Sequence, residues 1–108
     1  MLKIDNNEIY ITRGDSGIIE LALEKDGEPY DYSEDTVVFS VKRRPCDFNP
    51  VIQKEVVGNR IVLNPADTKS LPFGVYFYDV KVNTAGGDVI TAIVPTNFTV
   101  GEEVHKND

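Results

Sequence analysis

The chain has 108 residues, one domain's worth, and its 11 Lys and Arg against 18 Asp and Glu leave a net charge of −7. That balance argues against nucleic acid as a partner, since phosphates need clustered cations, and against docking on an anionic membrane leaflet. Hydrophobic residues at 41% exclude a disordered chain, and the single Cys46 excludes an internal disulfide. No apolar run nears the roughly 20 residues of a membrane helix. The first six residues show no basic region leading into an apolar stretch, so no signal peptide is expected.

Alternation of apolar and polar residues dominates the rest. Residues 8–12 make a short strand with Ile9 and Ile11 on one face. Arg13-Gly14-Asp15-Ser16-Gly17 is a turn, and residues 18–24 resume a strand with Ile19, Leu21 and Leu23 inward. Asp26-Gly27 marks the next turn. Residues 30–35 are a polar loop crossing between sheets. Residues 36–43 return to period two with Val37, Phe39 and Val41 inward. Pro45 and Pro50 bracket a loop, and a weaker strand at 51–56 turns at Gly58-Asn59 into a strand at 60–64. Pro65 opens one helical turn through Leu71. Residues 73–82 form the longest aromatic strand, and 89–100 return after the Ala85-Gly86-Gly87-Asp88 hairpin. Pro95 lacks an N–H, so it belongs at an edge or a bulge, and a bulge leaves open which residues face in. Seven short strands without a long helix give an all-β sandwich or barrel. The domain is expected at 1–100, with 101–108 as a flexible tail or linker.

The string Leu63-Asn64-Pro65-Ala66-Asp67-Thr68-Lys69-Ser70-Leu71-Pro72-Phe73-Gly74-Val75-Tyr76-Phe77-Tyr78-Asp79-Val80 resembles the corner of immunoglobulin-like domains, where a Tyr early in the sixth strand bonds back to nearby backbone. Asp67, Gly74 and Tyr76 would form that corner. Tyr78 stands where antibody domains have their second Cys, and there is no Trp, which excludes an antibody-type core. A wider resemblance covers residues 8–100. Its parts are Thr12-Arg13-Gly14-Asp15, Asp26-Gly27-Glu28-Pro29-Tyr30-Asp31, the Thr-Val-Val-Phe-Ser-Val-Lys strand, the Gly-x-Tyr-x-Tyr segment and Asn97-Phe98-Thr99-Val100. Together they are similar to the immunoglobulin-like N-terminal domain of baseplate upper proteins of tailed phages and prophages of Gram-positive bacteria. The resemblance implies a seven-stranded immunoglobulin-like sandwich with one short helical turn. It also implies a non-enzymatic attachment module of a tail, made in the bacterial cytoplasm as a virion component. Its partners would be other tail proteins or a second copy, with no cofactor.

Catalytic and metal chemistry find little support. The one His, His105, falls in the terminal tail, and Cys46 lies in a loop beside Asp47. One Cys and one His fall short of a zinc site. Asp31, Glu34 and Asp35 cluster without the spacing of a calcium loop, and read as a solvated acidic loop. Arg13-Gly14-Asp15 spells an integrin tripeptide but reads as a turn, and Arg43-Arg44 alone makes no nucleic-acid patch. If Tyr76 and Tyr78 face in, Val75 and Phe77 face out. Val38 and Val62 share the outward parity of their own strands. Val38, Val75 and Phe77 are the candidate interface, because a contiguous apolar patch marks an association surface. The alternative is a carbohydrate- or surface-binding sandwich using Tyr10, Tyr30 and Tyr32.

Overall fold

A computed structural model describes residues 1–102. Among them are ten strands and one helix: β1 (Leu2–Asp5), β2 (Glu8–Thr12), β3 (Gly17–Glu20), β4 (Glu24–Lys25), β5 (Glu28–Pro29), β6 (Thr36–Lys42), β7 (Ile52–Glu55), β8 (Arg60–Leu63), α1 (Pro65–Lys69), β9 (Gly74–Asn83) and β10 (Val89–Gly101). All seven expected strands are present. The three added ones are short, and tight turns create two of the pairings they enter. Asn6 and Asn7 join β1 to β2 with φ of 49° and 66°, and Asp26 and Gly27 join β4 to β5 with φ of 54° and 79°. Two successive positive φ values give the turn whose twist matches paired strands, and Asn, Asp and Gly tolerate them best.

The strands form a sandwich-like all-β fold. One sheet has the order β1-β2-β10-β9-β6-β7; β3 and β8 form a second, and β4 and β5 a small hairpin. Neighbours in the large sheet run antiparallel except β2 and β10, which run parallel. The inner faces meet in one core. It includes Ile9 and Ile11 of β2, Ile19 of β3, Val37, Phe39 and Val41 of β6, and Ile61 and Leu63 of β8. Tyr76, Tyr78, Val80 and Val82 of β9 and Phe98 and Val100 of β10 belong to it too, with Ile52 of β7 and with Leu21 and Leu23, which follow β3. The Phe39 ring lies 5.4 Å from that of Tyr78 and 6.2 Å from that of Phe98, centre to centre. Strand alternation puts these side chains on one face by geometry alone.

Strand β10 changes phase twice. Its register against β9 slips between Thr91 and Ile93 and again between Ile93 and Thr96. Each slip adds one residue on β10. The first turns the odd-numbered Ile93 inward, against Val80, and the second restores even parity, so Phe98 faces in opposite Tyr76. Pro95 sits inside the second irregularity, where its missing donor breaks no regular ladder. The strand also outruns the expected domain boundary. Gly101 is its last residue and is buried, because the Tyr10 ring lies where a Cβ would go. The rest of the expected tail past Glu102, including His105, lies outside the described residues.

Candidate association surface and its supporting corner

The corner is built around α1. Asn64 precedes it with extended φ and ψ, and Pro65 supplies the fixed φ of a helix start. The Asp67 carboxylate accepts the Asn64 N–H at 2.7 Å, and the Lys54 ammonium lies 3.0 Å from the same oxygen. Lys54 shares the core-side face of β7, since it pairs with the buried Phe39. An inward-pointing Lys on an edge strand hinders pairing with a foreign strand, so β7 is a guarded edge. Thr68 is fully buried, and its hydroxyl accepts the Gly14 N–H at 2.9 Å, fastening the Arg13-Gly14-Asp15 turn to the helix. The Arg13 guanidinium stacks 4.1 Å from the Phe73 ring centre. This tripeptide is therefore bound to its own domain as a turn.

Tyr76 is 3% exposed, and its hydroxyl donates to the Pro72 carbonyl at 2.8 Å. The bond goes four residues back, just past the helical turn rather than into it. Gly74 has φ of 148°, a conformation reserved almost wholly for Gly, and it lets the chain swing from the helix into β9. Asp67 thus shapes the helix start, while Gly74 and Tyr76 fix the strand entry. Tyr78 bonds the Asn7 carbonyl, tying the β1–β2 turn to the centre of the sheet. Burial raises the Tyr78 pKa above that of a free phenol.

The outer face of the large sheet carries Val38, Val75 and Phe77, but in two places. Phe77 pairs with Lys42 and Asn97, whereas Val38 pairs with Lys81 and Glu55. Four residues of strand, about 13 Å, separate the two positions. The row between them is polar: Asp79 faces Ser40, and Gln53 donates to the Ser40 hydroxyl at 3.1 Å. Asp79 and Ser40 are sunk to 8% and 7% exposure, at the floor of a 230 Å³ trough between Lys42 and Lys81. The expected three-residue patch is therefore split, and Val38 lines the trough with Phe48 and Pro50 instead. What the ladder brings together instead is the row Tyr10–Thr99–Val75, with Phe77 in the next row. Tyr10 joins because β2 pairs in parallel with β10, a long-range register that alternation within each strand does not reveal. Val62 faces out from the second sheet beside Ile18, its cross-strand partner, and both are about half exposed.

The three tyrosines of the alternative reading do not converge. Tyr10 lines a cleft with Lys3, Asp5 and Glu8 on the outer face. Tyr30 and Tyr32 stack with ring centres 6.3 Å apart beside a separate cleft of 640 Å³. The Tyr30 hydroxyl donates to Asp35 at 2.6 Å, and this bond raises the Tyr30 pKa. Burial raises that of Tyr32, whose hydroxyl donates to the Leu21 carbonyl at 3.1 Å. In the acidic loop, the Ser33 N–H donates to Asp31 at 3.0 Å and holds its carboxyl below the usual range. The Ala85 N–H donates to Asp35 at 3.2 Å. Among the described residues, no three His, Cys, Asp or Glu side chains gather as a metal site. Cys46 is an exposed free thiol. No described helix is long and apolar enough to cross a membrane. Comparison with family models, curated proteins and solved structures finds no match to this chain.

Proposed function

We propose that this chain is a non-enzymatic attachment module, acting through protein–protein contacts, of the kind found in the tail of a phage or prophage. The observation that carries this reading is the bare outer face of the large sheet. There Val75 is 53% exposed and lies beside Phe77 and in line with Tyr10. An aromatic and aliphatic group on an open sheet, rimmed by Lys3, Glu8 and Lys42, has the make-up of an association surface. The immunoglobulin-like reading draws support from the strand order. Strands β10, β9, β6 and β7 stand as the sixth- and seventh-strand sheet does in variable-type domains, with β3 and β8 opposite and a buried Tyr at the corner before β9. Particles released from the induced source bacterium test the tail assignment. The chain should be found in purified tails by mass spectrometry and immunogold labelling. Tails that lack it would refute the assignment.

A second reading, binding of carbohydrate, is favoured by one observation: the stacked Tyr30–Tyr32 pair beside a cleft that also presents Asp31, Asp35 and Asn59. Sugar rings lay their C–H faces on aromatic planes, while hydroxyls seek carboxylates and amides. Chemical-shift mapping with neutral monosaccharides tests it, since shifts confined to Tyr30 and Tyr32 would replace the attachment reading.

A further inference from the structure

The Asp79 carboxylate has no partner of its own. Val80 pairs with Ile93 and Tyr78 with Thr96, so Asp79 stands opposite the bulged pair Val94 and Pro95. Neither of those side chains can donate a hydrogen bond. On the other side is Ser40, whose hydroxyl accepts the Gln53 amide at 3.1 Å. Among the described residues no hydrogen bond or ion pair reaches the Asp79 carboxylate, although the residue is only 8% exposed. The acidic loop differs, because Asp35 accepts from Tyr30 and Ala85 there, and Asp31 from Ser33. Sunk polar groups without a donor are rare in folded proteins, and each has a cause. Bulges recur beside active sites, where they re-aim side chains.

The carboxylate opens on the 230 Å³ trough, which has room for about eight waters or one small ring. Lys42 and Lys81 line it from the rows on either side of the Ser40–Asp79 floor. Gln53 and Asn83 add amide groups. Phe48 and Pro50 give the trough an apolar rim. Phe48 is 97% exposed, more than any other large hydrophobic side chain described. A bare ring beside an unpaired, sunk carboxylate is the make-up of a ligand site, where an apolar surface sits with a few convergent polar groups.

We propose that this trough binds a neutral sugar ring. Charge decides the class of ligand. A cation aimed at Asp79 meets the ammonium groups of Lys42 and Lys81, and an anion aimed at either Lys meets Asp79. A hydroxyl escapes both conflicts, since it donates to a carboxylate and accepts from an ammonium. Neighbouring hydroxyls of one ring can donate to the two Asp79 oxygens, and such bonds to a charged acceptor are the strong ones. The C–H face of the ring then has Phe48 and Pro50 to lie on. The inference does not rest on the tail assignment. The cleft beside Tyr30 and Tyr32 shares no lining residue with this trough, so the two sites are told apart by where a sugar binds.

The test is an amide chemical-shift titration of the full chain with glucose, galactose, mannose and N-acetylglucosamine, each to about 100 mM. At least one sugar should move the amides of Ser40, Phe48, Gln53 and Asp79 together. Its Kd should be about 1–10 mM, which is what the dozen or so non-hydrogen atoms of one ring can supply. Asp79→Asn should weaken binding about tenfold or more, and Phe48→Ala about fivefold or more. Neither should lower the melting temperature, because Phe48 buries nothing and Asp79 holds no partner. If Asp79→Asn does not fold, Phe48→Ala and the mapping on the parent chain still decide. Sodium acetate, methylammonium chloride and acetamide are the controls, and none should bind the trough as tightly as the best sugar. The proposal is overturned if no sugar moves those amides at about 100 mM, or if the shifts fall at Tyr30 and Tyr32 alone. It is also overturned if either folded variant binds as the parent does, or if a control binds the trough as tightly as the sugars. The particle experiment is untouched by any of these outcomes.

Discussion

Replacing Tyr76 by Phe isolates the corner bond. The ring is 3% exposed and belongs to the core, so Phe preserves its packing and removes only the hydroxyl that donates to Pro72 at 2.8 Å. A buried acceptor left without a donor loses about 1–3 kcal/mol. Pro72 is itself exposed, so water can reach its carbonyl, and the loss belongs at the low end, about 1 kcal/mol. For a chain of this size the unfolding entropy is about 0.2 kcal/mol per degree, and the melting temperature should fall by about 4 °C. Urea denaturation followed by circular dichroism should show a lower midpoint at an unchanged slope, because the surface exposed on unfolding is the same. A variant within about 0.3 kcal/mol of the parent would mean that the bond does not hold the corner, since net hydrogen bonds contribute about 0.5–1.5 kcal/mol. A changed slope would refute the assumption that only the hydroxyl matters.

Three further outcomes are expected. Gly74→Ala should lower stability by about 1–3 kcal/mol in urea denaturation; no atom lies within 4 Å of the added Cβ, so the loss is backbone strain at φ of 148°. Phe77→Ser should cost only about 1 kcal/mol, because the ring is half-buried on the outer face, while weakening docking to a tail partner in binding assays; Val38→Ser should leave that docking unchanged. Raising the pH should destabilise the fold above about 10, the free phenol value. The folded-state pKa values of Tyr30, Tyr32 and Tyr78 are raised, so their contribution is complete below that value and is lost as pH rises through the folded-state values. Midpoints of urea unfolding across the alkaline range, compared with Tyr78→Phe, measure the Tyr78 share.

The strands legible in the sequence are those whose burial is one-sided. Ile19 against Glu20, and Val37, Phe39 and Val41 against their neighbours, alternate because one face meets the core and the other water. Strand β1 escaped this logic. Leu2 is half-buried against the core and the inward Ile4 is 50% exposed at the edge of the sheet, so the alternation of Leu2-Lys3-Ile4-Asp5, four residues long, is too short to stand out. Strands β4 and β5 have two residues each and no buried side chain, leaving Asp26-Gly27 as their only trace. In β10 the sequence announced an irregularity through Pro95. One bulge inverts the inward set and two restore it, and only pairing with β9 counts the bulges.

The same distinction explains the association surface. Parity is local: it depends on whether a position is odd or even within its own strand, and it put Val38, Val75 and Phe77 on the outer face. Contiguity is not local. It depends on which residue of β6 meets which residue of β9, and a shift of four residues preserves every inside–outside assignment while moving Val38 from beside Phe77 to beside Lys81. The turns do not fix that register, because β6 and β9 are separated by two other strands and α1. Buried shapes fix it, with Phe39 opposite Val80 and Val41 opposite Tyr78, so that the Phe39, Tyr78 and Phe98 rings meet. The core therefore decides which surface residues become neighbours. It draws Tyr10 to Val75 across Thr99, and it sets Val38 in the lining of the Ser40–Asp79 trough, away from Phe77.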